Sequence, residues 1–199
     1  MSARCGGAVL FLTNNKNTEP LKKWLESQGE NVVEANQKLA ADFECADSFK
    51  FALSFNYRHI LSQKIIESLN CPIVNIHCSM LPWNRGANPN FFSYYENTPK
   101  GVTVHKLTAD LDKGEILLQK SLDLSESETF RSSYAKLIDC AINLIKNNWE
   151  ILSNNEIKAY PQIGKGSYHS SKDFETISQC YPFEWDDRID LWKERYGLH

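Results

Sequence analysis

No apolar run in this 199-residue chain approaches the roughly 20 residues that a membrane-spanning helix needs. The amino-terminal MSARCGGAVLFLT has one Arg, a short apolar stretch and no small-residue cleavage site, so it reads as a first strand and not as an export signal. Cysteine pairs are missing as well. Cys5, Cys45, Cys71, Cys78, Cys140 and Cys180 lie far apart with no CxxC, which argues against a disulfide framework or a zinc knuckle and for free thiols in a reducing cytoplasm. Charge of one sign is scarce: 22 Lys and Arg against 25 Asp and Glu give a net charge of -3 with no basic stripe, which argues against nucleic acid or an acidic membrane as partner. A glycine-rich phosphate loop is absent too. GKGSYH (164–169) lacks the first glycine of a P-loop, and Cys5-Gly6-Gly7 precedes the first strand instead of following it.

What is present is an alternation of strand-like and helix-like segments. AVLFLT (8–13), NVVEA, FKFALSF (49–55) and PIVNIH (72–77) read as strands. EPLKKWLESQG, closed by Gly29, and LSQKIIESLN (61–70) read as helices between them. Residues 36–49 are ambiguous. That alternation predicts an α/β fold, a Rossmann-like, mostly parallel sheet flanked by helices. PNFFSYYEN reads as a short helix. GVTVHKL and ILLQKSLDL (116–124) read as a hairpin or bulged ribbon with Asp110 and Asp112 in its connection. A Ser-x-x-Glu capping box at Ser125–Glu128 is expected to open a long helix, whose stripe is Phe130, Tyr134, Leu137, Ala141, Ile145, Trp149 and Leu152. Residues 1–155 are expected to form the catalytic domain. Residues 156–199, rich in Pro, Gly, Ser and aromatics, are expected to pack on it as an extension.

The fourth strand ends on Asn75 and His77. Residues two apart on a strand face the same way, so the amide and the imidazole aim at one spot, beyond the carboxyl ends of the strands where such sheets bind ligands. An Asn and a His there can equally serve to satisfy loop backbone groups. His77-Cys78 with His105 does not make a metal set, because neighbours on a strand face opposite ways and a third ligand at proper spacing is not evident. No metal is therefore expected. His59 and His169 read as surface or hydrogen-bonding residues.

The ordered set decides the weighing: Asn75-Ile76-His77, then Ser79-Met80-Leu81-Pro82, then Arg85-Gly86, then Gly101-Val102-Thr103-Val104-His105, then Asp112-Lys113-Gly114-Glu115-Ile116. In order and spacing it resembles the folate-dependent formyltransferase family, over about residues 8–152. Cys78 stands where Pro is common and Met80 where Leu is common. The resemblance implies a catalytic trio of Asn75, His77 and Asp112. It implies 10-formyltetrahydrofolate as donor, its pterin held by Asn56, Tyr57, Arg58, Ile60 and Leu61 on one side and Thr108, Ala109, Asp110 and Leu111 on the other. It places Leu81, Pro82, Arg85, Gly86 and Asn88 beside the acceptor. His105 is expected to be a structural hydrogen-bonding residue, and Arg85 either shapes the acceptor loop or merely fixes it by a salt bridge.

The chemistry suits these types. An amine attacking a formyl carbon builds negative charge on the formyl oxygen, and a fixed donor aimed there lowers the barrier by roughly 3–4 kcal/mol. Asn75 can give an N–H, a protonated His77 can give another, and Asp112 can favour the imidazolium and relay the proton. The acceptor is the open choice. Thr13-Asn14-Asn15-Lys16-Asn17-Thr18 holds no glycine, which argues against a glycinamide ribonucleotide acceptor. The chain's length and slight acidity argue against the methionyl-tRNA enzymes, which have a second, basic domain, and against formyltetrahydrofolate hydrolases, which have an extra amino-terminal domain. Residues 54–61 and 83–89 resemble the members that act on nucleotide-linked amino sugars, and Phe91, Phe92, Tyr94 and Tyr95 either stack on a base or sugar or form core. The expected acceptor is a nucleotide-linked 4-amino-4,6-dideoxy sugar. The alternatives are glycinamide ribonucleotide, methionyl-tRNA or water, or a folate- or sugar-nucleotide-binding protein without turnover. The 116–124 strand and the tail aromatics (Tyr181, Phe183, Trp185, Trp192, Tyr196) either form a homodimer seam or cover the core.

Overall fold

The run Ala8–Leu12 is buried at every position and forms strand β1, as a strand must when both faces of a parallel sheet are covered. It lies in a six-stranded sheet with β2 (Val32–Ala35), β3 (Phe49–Phe55), β4 (Ile73–His77), β6 (Gly101–Lys106) and β7 (Ile116–Ser121), in the order β2-β1-β3-β4-β6-β7. The first four strands in that order are parallel; β6 is antiparallel to β4, and β7 to β6. A two-residue ribbon, β5 (Arg85–Gly86) with β8 (Tyr168–His169), lies apart. The computed structural model describes residues 7–40 and 49–198. Cys5, Cys45, His199 and most of the ambiguous 36–49 stretch fall outside the described residues.

Side-chain alternation splits the sheet into two faces. Val9, Phe11, Phe51, Leu53, Phe55, Val74, Ile76, Val102 and Val104 pack with Leu21 and Leu25 of α1 (Glu19–Ser27) and with the stripe Leu137, Ile138, Ala141, Ile145, Trp149 and Leu152 of α4 (Phe130–Ser153). On the other face Ala8, Leu10, Leu12, Ala52 and Ile73 pack with Leu61, Ile65 and Leu69 around α2 (Gln63–Ser68). Each Val, Leu, Ile or Phe side chain among them contributes about 1.5–3 kcal/mol when taken from water, before chain entropy is counted. Phe91, Phe92 and Tyr94 of α3 (Pro89–Tyr95) meet Phe130, Ile189 and Trp192 in a third cluster, which joins α5 (Ser171–Cys180), through Phe174 and Ile177, and α6 (Ile189–Tyr196) to the sheet-bearing part. The aromatics of α3 are therefore core in the main, although Phe91 also reaches a cavity described below.

The long helix starts where its stripe begins, but its cap is not the expected one. Thr129 accepts from the Ser132 N–H and the Ser132 hydroxyl accepts from the Thr129 N–H. The Ser125–Glu128 stretch is held by tertiary pairing instead. Asp190 N–H donates to Glu126 O, Ile189 N–H donates to Glu128 O, and Phe130 N–H donates to Asp187 O. The Glu126 carbonyl and the Phe130 N–H, which a helix begun at Ser125 would pair with each other, are thus both taken, and the stretch closes as a turn with Glu128 N–H on Ser125 O. No helix among the described residues is long and apolar enough to cross a membrane.

Candidate active site

The register of three central strands sets a polar row on the face opposite α4. Ser54 of β3 lies beside Asn75 of β4, and Asn75 lies across from His105 of β6. Directly opposed residues on antiparallel strands have Cβ atoms about 4.5–5.5 Å apart. A register shift between Val104 and His105, where β6 meets β7, marks the position that aims this imidazole. His77 is the last residue of β4 and shares the face with Asn75.

Asp112 enters from the β6–β7 connection. Its backbone is left-handed, with φ of 52°. Two residues on, a Cβ at Gly114 would overlap the carbonyl of Lys106, so the loop closes this tightly only with glycine there. The carboxylate is buried among donors. Oδ2 accepts the Gly86 N–H at 2.9 Å and lies 3.6 Å from His77 Nδ1. Oδ1 lies 3.2 Å from Asn75 Nδ2 and 3.4 Å from His105 Nε2. Burial alone favours the neutral acid, but the facing His77 charge, the His105 hydrogen bond and the Gly86 N–H outweigh it and hold the carboxyl well below the usual carboxylate range.

Hydrogen-bond partners assign the ring atoms. His77 Nε2 is 2.8 Å from the Asn84 carbonyl, which can only accept, so Nε2 carries a proton and Nδ1 is the atom turned to Asp112. His105 Nδ1 is 2.9 Å from the Lys106 carbonyl and carries a proton for the same reason. Its Nε2 faces Asn75 Nδ2 at 3.2 Å and Asp112 Oδ1 at 3.4 Å, so it accepts from the amide when the ring is neutral and donates to the carboxylate when the ring is protonated. Asn75 thus aims one N–H at His105 and one at Asp112, and His77 presents Nδ1 as its exchangeable position.

A cavity of about 590 Å³ opens on this cluster, within the range of small-molecule sites. Of the expected donor-pocket residues, Asn56, Tyr57, Arg58, Ile60, Leu61, Thr108, Ala109 and Leu111 line it, while Asp110 does not. The Asp110 carbonyl instead accepts from Thr108 Oγ1 and Lys113 N–H inside the loop. Of the expected acceptor residues, Gly86 and Asn88 line the cavity. Leu81, Pro82 and Arg85 do not. Leu81 is buried with its N–H on Thr103 Oγ1, the Pro82 carbonyl accepts from Ser167 N–H, and the Arg85 guanidinium turns to Gln162 and the Lys165 carbonyl. Arg85 therefore ties its loop to the tail through an uncharged amide and a carbonyl, and among the described residues it makes no salt bridge.

Sequence reasoning missed part of the wall. Asn15, Tyr134, Ser171, Phe174, Phe183 and Trp185 also line the cavity. The aromatic density of the tail was visible, but nothing in it says that Phe174 and Trp185 face the same space as Asn75.

Residues 9–147 match the formyl transferase family model. A dTDP-4-amino-4,6-dideoxyglucose formyltransferase of Mycobacterium tuberculosis is 28% identical over 134 residues, which cover 67% of this chain and 56% of that protein. A methionyl-tRNA formyltransferase of Thermotoga neapolitana is 31% identical over 143 residues, covering 69% of this chain and 45% of that one. The chain thus spans about half the length of these two relatives. The crystal structure of the formyltransferase PseJ from Anoxybacillus kamchatkensis, in complex with UDP-4,6-dideoxy-4-formamido-L-AltNAc and tetrahydrofolate, superposes with a TM-score of 0.85 at 33% identity, covering 92% of this chain and 96% of that one.

Proposed function

This chain belongs to the formyl transferase family, and from that premise we propose that it moves the formyl group of 10-formyltetrahydrofolate to the primary amine of a nucleotide-linked 4-amino-4,6-dideoxy sugar. The observation that carries the reading is the meeting of Asn75, His77, His105 and Asp112 beneath one cavity. The ligands of PseJ, a 4-formamido sugar nucleotide and tetrahydrofolate, are the two products of such a transfer. The lining of the cavity supports both halves of this reading. Tyr57, Ile60, Leu61, Ala109 and Leu111 offer apolar surface to a flat bicyclic ring, and Phe174, Phe183 and Trp185 offer aromatic faces on the tail side.

When bound, the donor supplies the formyl carbon: the acceptor nitrogen bonds to it, negative charge builds on the formyl oxygen, the bond to the folate nitrogen then breaks, and one proton passes in all from the acceptor nitrogen to the folate nitrogen. The protein's part is to stabilise charge and move a proton. Asn75 can turn one of its two N–H groups from Asp112 or His105 to the formyl oxygen as charge develops there. His77 holds or releases a proton at Nδ1, while its Nε2–H stays on Asn84 O and fixes the ring. The Asp112 carboxylate lies 3.6 Å from that Nδ1 and faces the charge the ring carries when it takes up a proton. The Gly86 N–H fixes the rotamer of that carboxylate.

The test is donor consumption. The protein is incubated with 10-formyltetrahydrofolate and, in turn, UDP- and dTDP-linked 4-amino-4,6-dideoxy sugars, glycinamide ribonucleotide, charged initiator tRNA and buffer. Tetrahydrofolate release with an amino sugar alone is the expected result. Release in buffer alone identifies a hydrolase, and folate binding without any release identifies a binding protein.

A further inference from the structure

Gln162 lies in the tail, beyond the 9–147 stretch that matches the family model, and it joins the two loops that hold Asp112. Its Nε2 donates to the Asp112 carbonyl at 2.8 Å and to the Gly114 carbonyl at 2.9 Å. Its Oε1 accepts from Arg85 Nε at 3.0 Å and from Arg85 Nη2 at 2.7 Å. Both N–H groups and both lone pairs are used, so the amide is satisfied in one orientation only. The first pair of bonds holds the backbone on which Asp112 sits in its left-handed conformation. The second holds the residue before Gly86, whose N–H fixes the Asp112 carboxylate.

We propose that Gln162 is a positioning residue for formyl transfer: through one side-chain amide it sets the Asp112 loop against the Arg85–Gly86 segment, so that the carboxylate faces His77. The inference rests on the formyl-transfer reading above. A bare staple for the tail is a weaker account, because the tail is docked by independent bonds. Tyr160 and Ile116 exchange backbone hydrogen bonds at 2.8 and 3.0 Å, Arg85 N–H donates to Ser167 O at 3.0 Å, and Ala87 N–H donates to His169 O at 2.8 Å.

Gln162→Glu separates the two accounts. It keeps an acceptor for Arg85 and sets carboxylate oxygens against the carbonyls of Asp112 and Gly114. A misplacement on the scale of 1 Å at a reacting group costs about 10²-fold. The expected result for Q162E, and for Q162A beside it, is a kcat lower by about that factor, with KM for donor and acceptor changed by less than about threefold. Amide hydrogen exchange supplies a readout independent of turnover. The Gly86 amide is expected to lose protection in both variants, while the Arg85 and Ala87 amides, bonded to the docked tail, keep theirs. A kcat within twofold of the parent overturns the proposal. So does joint loss of protection at all three amides with activity falling only as Tm falls, since the tail has then simply come loose. If the parent protein transfers formyl to no amine, the reading of function fails by itself, and unchanged Gly86 exchange in Q162E still overturns the positioning role.

Discussion

Asp112→Asn changes the charge at the centre of the site and almost nothing of its shape. At 3.6 Å from His77 Nδ1, a unit negative charge is worth about 4–5 kcal/mol to a protonated imidazole at an effective dielectric of about 20. The carboxylate is buried, so little of this is screened by solvent. If the imidazolium is stabilised in the transition state, kcat falls by about three orders of magnitude. The hydrogen bonds add a smaller effect. The new side-chain oxygen can keep the Gly86 N–H, but the new NH₂ then meets the Asn75 amide donor against donor, at a cost of about 1–3 kcal/mol in stability. The pH dependence carries a sign. The folded carboxyl sits below its unfolded value of about 3.9, so its contribution to stability is whole above about pH 4 and is lost as pH falls through the folded value. The Tm gap between parent and variant should therefore be widest near neutrality and narrow in acid. Turnover is read as tetrahydrofolate release, and Tm by calorimetry from pH 7 down to about pH 3. A variant kcat within tenfold of the parent, or a Tm gap that widens in acid, refutes the reasoning.

Asn75→Ala removes the amide that reaches toward the formyl oxygen and should lower kcat by about 10²–10³-fold with Tm little changed; steady-state kinetics showing less than a threefold loss would remove Asn75 from the mechanism. Trp185→Ala strips an aromatic face from the tail side of the cavity. It should raise KM for the sugar nucleotide by about 3–10-fold, the equivalent of about 0.5–1.5 kcal/mol, and leave the donor KM alone; a rise in donor KM instead would place the pterin there. Trp192→Ala empties a fully buried position against Phe91 and Phe130 and should cost about 3–5 kcal/mol in denaturant titrations. A cost below 1 kcal/mol would mean that α6 adds little to the fold.

The sheet was legible because its strands are short apolar runs, and the polar pair at the end of PIVNIH stands out against them. Period two put Asn75 and His77 on one face, and the structure has them there. The long helix was legible from its stripe, yet its cap was misread. Ser125–Glu128 satisfies a local rule, and distant partners at Asp187, Ile189 and Asp190 take the same backbone. Leu81, Pro82 and Arg85 show the same limit. Their loop belongs to the site, but which side chain points in depends on the tail residues Gln162, Lys165 and Ser167 lying behind it. Nothing local records contacts across some 80 positions, so Gln162 and the aromatic wall stayed invisible.

The orientation of β6 explains why those distant contacts are needed. A strand parallel to β4 would end beside His77 and release its loop straight over the cavity. β6 is antiparallel, with Lys106 opposite Val74 and the Leu107 N–H on Ile73 O, so the chain leaves it at the opening end of β4. Asp112 reaches His77, at the far end of that strand, only because its loop folds back across the face. A left-handed Asp112, a Cβ-free Gly114 pressed on Lys106 and the Gly86 N–H hold the fold-back from within the first 116 residues. Gln162 holds it from outside. The strand that places His105 beside Asn75 therefore also makes the position of the carboxylate depend on the tail.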